Sequence, residues 1–462
     1  MPGLGADVRL VDECRQAAYT DSETRGKSRP ARLYPRTLPV TSRPPYRPTY
    51  SSGGEGRSTP KFPLSPEFTM QRSLTQTGPL ATVVAKSSTG AATLFRRRLA
   101  DIPSQAKHGD LVAIATEGEG VWAHGLVNPR AEATVRILTR DGVAPDAEWW
   151  RGQVRRAVEL RRMLGLDAVT NAYRVIHAEG DGIPGLVADR YGDLIAIEAF
   201  TLAMFQRSEA LAQLLCEELG ISKWVVHPGP RTHEQEGFEA KPFAAEGVRD
   251  RVVVEEHGLK FEVDLAGGHK TGFFCDQRDN RDRLVQFCAG KRVLDLCCYS
   301  GGFSISARVR GKASEVTGVD LDEKAVEQAR RNSRLNRENI RFAHADAFPW
   351  LRDAVRNGKQ FDVVVVDPPR FISSQEEIEE GRSRYFDLNR LAMQVVAPGG
   401  LYVTCSCSGL ISSEDFSRLM IGAIPPGRSG QILYRTGAGP DHPVASNCSE
   451  TEYLKALWMR VS

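Results

Sequence analysis

Residues 292–303 read R-V-L-D-L-C-C-Y-S-G-G-F, and this stretch decides the fold class. The apolar run 293–296 predicts a strand that passes Asp295 and opens into a loop carrying Gly301 and Gly302. A helix is predicted over 303–309. Glycine at such a turn lets the backbone come close to a ligand, because no Cβ intervenes. Further strand-like runs at 315–319, 361–366 and 400–405 alternate with helical stretches to the end of the chain. That alternation points to an α/β fold with a parallel, doubly wound, Rossmann-like sheet.

Acidic residues mark the strand ends of this region. The strand V-T-G-V-D ends in Asp320, roughly twenty positions beyond Gly302, where a carboxylate accepts hydrogen bonds from both hydroxyls of a ribose. Asp346, in H-A-D-A-F, is placed to meet an adenine amino group. Tyr299, Ser300, Leu321 and Ala347 complete the candidate cofactor shell. Each acid alone equally fits a helix N-cap or a solvated strand end. Together they suit a neutral-to-cationic nucleoside and not a pyrophosphate, and the G-x-G-x-x-G spacing of dinucleotide binders is absent. The cofactor implied is S-adenosylmethionine and not NAD.

Downstream, F-D-V-V-V-V-D-P-P-R-F (361–371) places Asp367 at the C-terminal end of a strand, the edge where open α/β sheets bind ligands. The two prolines stiffen the turn and remove two amide donors. Such a turn either simply ends a strand or fixes a carboxylate against the edge of a planar base. The following strand reads G-G-L-Y-V-T-C-S-C-S-G-L (399–410), with Cys405 and Cys407 at i, i+2 and so on one face. Carbon 5 of cytosine is a weak nucleophile. A thiolate added to carbon 6 makes carbon 5 enamine-like and able to accept a methyl group, a form of covalent catalysis. Asp367 and Cys407 are therefore the candidate catalytic pair, and the base must leave its stack to reach them. Cys275, Cys288, Cys297 and Cys298 sit in apolar runs and read as small hydrophobes.

The rest of the chain bounds this reading. Its 462 residues imply two or three domains, and a net charge of +3 permits a nucleic-acid partner without arguing for one. No run of eighteen or more apolar residues appears, so no membrane is expected. The nine cysteines form no CxxC pair and follow no signal peptide, which implies reduced thiols in a cytosol and no zinc site or other metal. Residues 1–75 are rich in Pro, Ser, Thr and Arg and are expected to be disordered. A transit peptide is disfavoured by their acidic residues, and translation starting near Met70 is the alternative. Short strands at 81–85, 109–115, 121–126 and 133–138 make a small all-β module, followed by an arginine-rich helix at 148–164 and a central αβ segment over 173–263.

With these motifs in order, the chain resembles the large-subunit ribosomal RNA methyltransferase I family, the 23S rRNA cytosine-C5 methyltransferases with an N-terminal PUA domain. The likeness runs from about residue 80 to the end. It is densest in E-E-H-G-L-K-F-E-V-D (255–264), G-G-H-K-T-G-F-F-C-D-Q-R-D-N-R (267–281), R-Y-F-D-L-N-R-L-A (384–392), D-H-P-V (441–444) and A-E-G-D-G-I-P-G-L-V-A-D-R-Y-G-D (178–193).

The resemblance implies a small β-barrel PUA-like RNA-binding domain at 76–145, a central α+β domain at 146–265 and a class I methyltransferase domain at 266–462. It implies S-adenosylmethionine as cofactor and large-subunit ribosomal RNA as partner, with a homodimer as a further expectation. Cys407, in S-C-S-G-L, falls at the family's nucleophile. T-C-S also resembles the motif of another RNA cytosine methyltransferase group, whose nucleophile would fall at Cys405. Lys270, Thr271, Gly272, Phe273, Asp276, Gln277 and Arg278 match the segment that closes over the cofactor, although Phe273 and Phe274 also suit core packing.

Two stretches depart from the family. L-F-R-R-R-L-A-D-I (94–102) stands where R-H-P-W-[VI]-[FY] is usual, and 225–238 has a different charge pattern. Arg96, Arg97 and Arg98 are candidates for RNA contact, or a solvated basic cluster. A methyltransferase acting on another base, such as guanine, or a non-catalytic RNA-binding assembly protein are the alternatives.

Overall fold

The computed structural model describes residues 71–265 and 272–462. Lys270, Thr271 and residues 1–70 lie outside the described residues. Order begins earlier than the composition suggests. Arg72 donates its amide to the Gln206 carbonyl (2.6 Å) and pairs with Asp110, and the Trp150 indole donates to the Leu74 carbonyl (2.9 Å).

Six strands form the first sheet: Thr82–Ala85 (β1), Thr93–Phe95 (β2), Leu99–Asp101 (β3), Leu111–Thr116 (β4), Glu119–Val127 (β5) and Ala133–Thr139 (β6), in the order β2-β6-β5-β4-β1-β3. β2 and β3 stand at opposite ends of that order, yet only the turn Arg96–Arg98 separates them along the chain. A flat sheet cannot satisfy both conditions, so this one curls toward closure, with the three arginines at the seam. Its interior is a cluster of small and branched side chains including Val83, Leu94, Val112, Ile114, Val135 and Ile137.

The helix Ala147–Met163 starts at Asp146, whose carboxylate caps the Trp149 amide at 2.8 Å. Trp150, Val154, Ala157, Val158 and Arg161 recur at helical spacing and form its buried face. They pack on a five-stranded mixed sheet of Ala172–His177 (β7), Leu186–Tyr191 (β8), Leu194–Ala199 (β9), Lys223–Pro228 (β10) and Phe243–Ala244 (β11), in sequential order. A hairpin of Arg251–Glu256 (β12) and Leu259–Asp264 (β13) follows. It leans on the helix Glu323–Leu335 through the Glu262 amide on Asn332 (2.7 Å) and the Gln328 amide on the Glu262 carbonyl (2.6 Å). The hairpin thus packs against the C-terminal part as well as against the central sheet it follows in sequence.

The last sheet comprises Arg292–Leu296 (β14), Glu315–Asp320 (β15), Arg341–His344 (β16), Phe361–Val366 (β17), Val396–Ser406 (β18), Gly430–Thr436 (β19) and Lys455–Val461 (β20), ordered β16-β15-β14-β17-β18-β20-β19. β14 to β18 are parallel, as the alternation predicts. The final strand corrects the all-parallel expectation. β20 inserts antiparallel between β18 and β19, joined to the latter without a crossover helix. Two apolar layers cover the two faces of this sheet. Among the described residues no helix is long and apolar enough to cross a membrane.

Candidate active site

Because β14, β15, β16, β17 and β18 run parallel, their C-terminal ends share one edge, which gathers Asp295, Asp320, Asp346, Asp367 and Cys407. The loop after β14 is bent to serve it. Cys297 (φ 59°), Tyr299 (φ 46°) and Gly301 (φ 84°) all take left-handed backbone, which costs two of them steric strain. Strain of that kind persists only where neighbours hold it. Here the Tyr299 amide donates to Asp320 Oδ2 (2.8 Å), the Cys298 amide to the Val319 carbonyl (3.1 Å), and the Tyr299 ring meets Phe274 edge-on at 4.8 Å. A side chain at Gly301 would stand 3.1 Å from the Phe342 ring and 3.2 Å from Ala329, so tight space adds to the preference for glycine that φ sets.

Asp295 is fully buried. Its Oδ2 accepts from the Ser304 amide (2.9 Å) and hydroxyl (2.7 Å), anchoring the first turn of the helix Gly302–Ile305. That helix continues as a π-helical turn, Ser306–Arg310, where a plain α-helix is expected. Burial pushes the Asp295 carboxyl up to about 7, against the pull of the Ser304 bonds and with a further push from Asp320. Its Oδ1 is buried with no hydrogen-bond partner among the described residues. An orphaned acceptor behind a strained loop fits a polar cofactor at this edge. Asp320 is raised by burial although the amides of Asp322, Tyr299 and Leu321 pull it down. Asp346 spends one oxygen as the N-cap of the helix Ala347–Arg356, on the Phe348 amide (2.8 Å).

At the other end of the edge, Asp367 follows β17 directly, and Gln277 Nε2 donates to its Oδ2 at 3.0 Å. The register Val366↔Thr404 brings Asp367 level with Cys405. Cys405 is fully buried, and burial together with the Asp367 charge drives its thiol well above the ordinary range. Cys407, two residues on, is half-buried against the small cluster of Cys405, Leu454 and Ala456. The chain around it is clamped. The Ser406 hydroxyl donates to Tyr385 Oη (2.9 Å), Ser408 Oγ shares a hydrogen bond with the same phenol (2.9 Å), and the Ile372 amide donates to Ser408 Oγ (3.2 Å).

These features match known proteins. Residues 235–445 match the model of the S-adenosylmethionine-dependent methyltransferase family. The chain is 34% identical to ribosomal RNA large subunit methyltransferase I of Photobacterium profundum over 74% of this chain and 88% of that protein. Its identity to the protein of the same name from Aeromonas hydrophila is 36%, over 79% and 94% respectively. The chain belongs to the ribosomal RNA large subunit methyltransferase I family. In fold it resembles the crystal structure of SMU.776 complexed with SAH, with a TM-score of 0.70 at 19% identity over 82% of this chain and 99% of that one.

This methyltransferase I family member is an S-adenosylmethionine-dependent enzyme, and the strained loop 297–301 stands with Asp295, Asp320 and Asp346 at the sheet edge proposed for that cofactor. Its 272–278 segment divides its labour. Gly272 (φ 111°) passes over Asp264, where a Cβ would meet the carbonyl at 2.9 Å, and its own carbonyl accepts from Tyr299 Oη (3.3 Å). Phe273 is buried in the core against Phe261 (5.2 Å), under the Arg281 guanidinium. Asp276 accepts from the Tyr453 hydroxyl. Arg278 is taken up by Asp441 at 2.7 and 3.1 Å. Gln277 reaches Asp367. Leu321 is exposed and Ser300 buried at the same rim.

Sequence reasoning missed Tyr385, Tyr453, Lys455 and Asp441. Tyr385 and Asp441 lie in the quoted strings, but their partners come from remote positions. Arg96, Arg97 and Arg98 are all exposed.

Proposed function

We propose that the enzyme methylates carbon 5 of a cytosine in large-subunit ribosomal RNA, with Cys407 as nucleophile. The observation that carries this reading is the contrast between the two cysteines beside Asp367: Cys405 is sealed and held protonated, whereas Cys407 is half-buried on a clamped turn. The Cys407 thiolate adds to carbon 6 of the flipped cytosine, and the electron pair moves toward ring nitrogen 3. Asp367, its Oδ2 oriented by Gln277, meets that edge; as the carboxylic acid it donates a hydrogen bond to nitrogen 3 and so stabilises the negative charge developing there. S-adenosylmethionine supplies the methyl group as an electrophile. Loss of the carbon 5 proton to solvent and expulsion of the Cys407 thiolate restore the aromatic ring. The curled six-stranded module, with Arg96–Arg98 exposed at its seam, is read as a PUA-like RNA grip, and a cytosolic location accords with that substrate.

The test is adduct trapping. RNA carrying 5-fluorocytosine at the target is expected to form a covalent complex with the wild-type enzyme and with Cys405→Ala, but not with Cys407→Ala. The opposite pattern assigns the chemistry to Cys405, and methyl transfer surviving in both variants assigns it to another base. Mapping 5-methylcytosine in ribosomal RNA with and without the gene identifies the target.

A further inference from the structure

Lys455 opens β20 opposite Ser406, the last residue of β18. It is almost fully buried, 5% exposed, in a place where a lysine needs a reason. Its Nζ donates to the Ser408 carbonyl (2.6 Å) and the Tyr453 carbonyl (2.8 Å), so the ammonium is held against the residue next to Cys407. An ammonium has three donors, and these two carbonyls take two of them. No carboxylate is bonded to Nζ among the described residues; of the other deeply buried cations Arg161, Arg174, Arg278 and Arg281 each grip one, whereas Arg207, like Lys455, donates to backbone carbonyls. The anionic groups that act on this ammonium are Cys407, the residue before Ser408, and Glu452.

We propose that Lys455 is a positioning residue that keeps Cys407 as a thiolate, and that this thiolate is in turn the counter-ion that lets a lysine be buried there. The inference rests on Cys407 being the nucleophile and names what activates it. Burial lowers the Lys455 ammonium to about 8, the Cys407 thiolate and Glu452 raise it, and Arg370 lowers it. Also near Cys407 are the hydroxyls of Tyr385 and Tyr453 and the thiol of Cys405, all of them raised by burial, and hence neutral, with the Cys407 charge adding to the rise. Arg370, in D-P-P-R, is the second cation of the neighbourhood and is exposed. A cation close to a thiol lowers its pKa by favouring the charged form, and the effect is reciprocal.

The experiment reads thiol reactivity, without RNA, on the full-length enzyme. The rate of iodoacetamide labelling is followed from pH 5.5 to 10 (about the span needed for thiols) by mass spectrometry of the peptide containing Cys407. Lys455→Gln keeps amide donors for the two carbonyls while removing the charge. It is expected to raise the labelling midpoint by about one pH unit or more and to lower kcat about tenfold at neutral pH, with KM for RNA unchanged. Lys455→Arg keeps the charge and is expected to hold the midpoint at or below the wild-type value. A folded Lys455→Gln with an unshifted midpoint overturns the proposal. Should that variant not fold, a raised midpoint in Lys455→Arg overturns it instead. Loss of activity in Cys407→Ala together with an unshifted Lys455→Gln midpoint refutes the lysine while leaving the nucleophile in place. A shifted midpoint with Cys407→Ala still active would show the converse.

Discussion

Gln277 Nε2 and Asp367 Oδ2 stand 3.0 Å apart, joining the segment before the helix Arg278–Val285 to the turn after β17. Asn280 Nδ2 donates to Gln277 Oε1 (2.7 Å), which leaves the Gln277 amide nitrogen as the end that addresses the carboxylate. A hydrogen bond to a charged group is worth about 1.5–3 kcal/mol. Gln277→Leu is therefore expected to lower kcat by about 10- to 100-fold. Single-turnover methyl transfer checks this, and an unchanged rate would remove Gln277 from the site.

The strained loop 297–301, proposed to hold the cofactor, hangs on Asp320, whose Oδ2 takes the Tyr299 amide at 2.8 Å. Asp320→Ala removes both that support and the acceptor for a ribose. Calorimetric titration with S-adenosylmethionine is expected to show affinity falling at least about tenfold, since one lost charge-assisted hydrogen bond suffices for that. Binding of wild-type strength in the variant would place the ribose elsewhere.

Asp441 collects Arg278 through both oxygens, the Arg174 amide (3.0 Å) and His442 (3.2 Å), while its carbonyl takes Arg161 (2.6 Å). Burial alone would raise its carboxyl, but His442 and Arg278 draw it far below the usual carboxylate range. Arg278→Met leaves that carboxylate buried without its main partner, at a cost of about 3–5 kcal/mol. Urea unfolding is expected to show the loss, and Asp441→Leu in the same chain is expected to restore part of it. Equal stability of Arg278→Met and wild type would count against this pair as the junction between the central and C-terminal sheets.

Two buried groups tilt stability with pH in opposite directions. His177 is lowered from 6.5 to about 3 by burial, with Arg174 and His442 adding to it. The folded state then binds fewer protons than the unfolded one between those values, so stability falls as the pH drops below about 6.5, by up to about 1.4 kcal/mol per pH unit. Thermal melting of His177→Gln is expected to decline less than wild type between pH 7 and 5. Asp295 is raised, so its contribution is present in acid and is lost as the pH climbs to about 7. Asp295→Asn is expected to make the decline toward acid steeper. Parallel melting curves for wild type and both variants would contradict these assignments.

Residues 292–303 announced the parallel sheet because a strand, a glycine turn and a helix are local patterns. Asp320, Asp346 and Asp367 could be placed at strand ends for the same reason. The Arg96–Arg98 cluster was visible, but not that it closes a curled sheet, since strand order is not written in any one segment.

Side-chain periods and turn residues acting over a few positions made the parallel strands of the last sheet, the glycine turn after β14 and the acids and thiols near the strand ends legible in the sequence. Only the tertiary structure decided that β20 inserts antiparallel beside β18, that Lys455 lies against Ser408, and that Asp441 meets an arginine 163 positions away. A buried charge tolerates removal from water only where partners converge on it, and that convergence is a property of the packed chain.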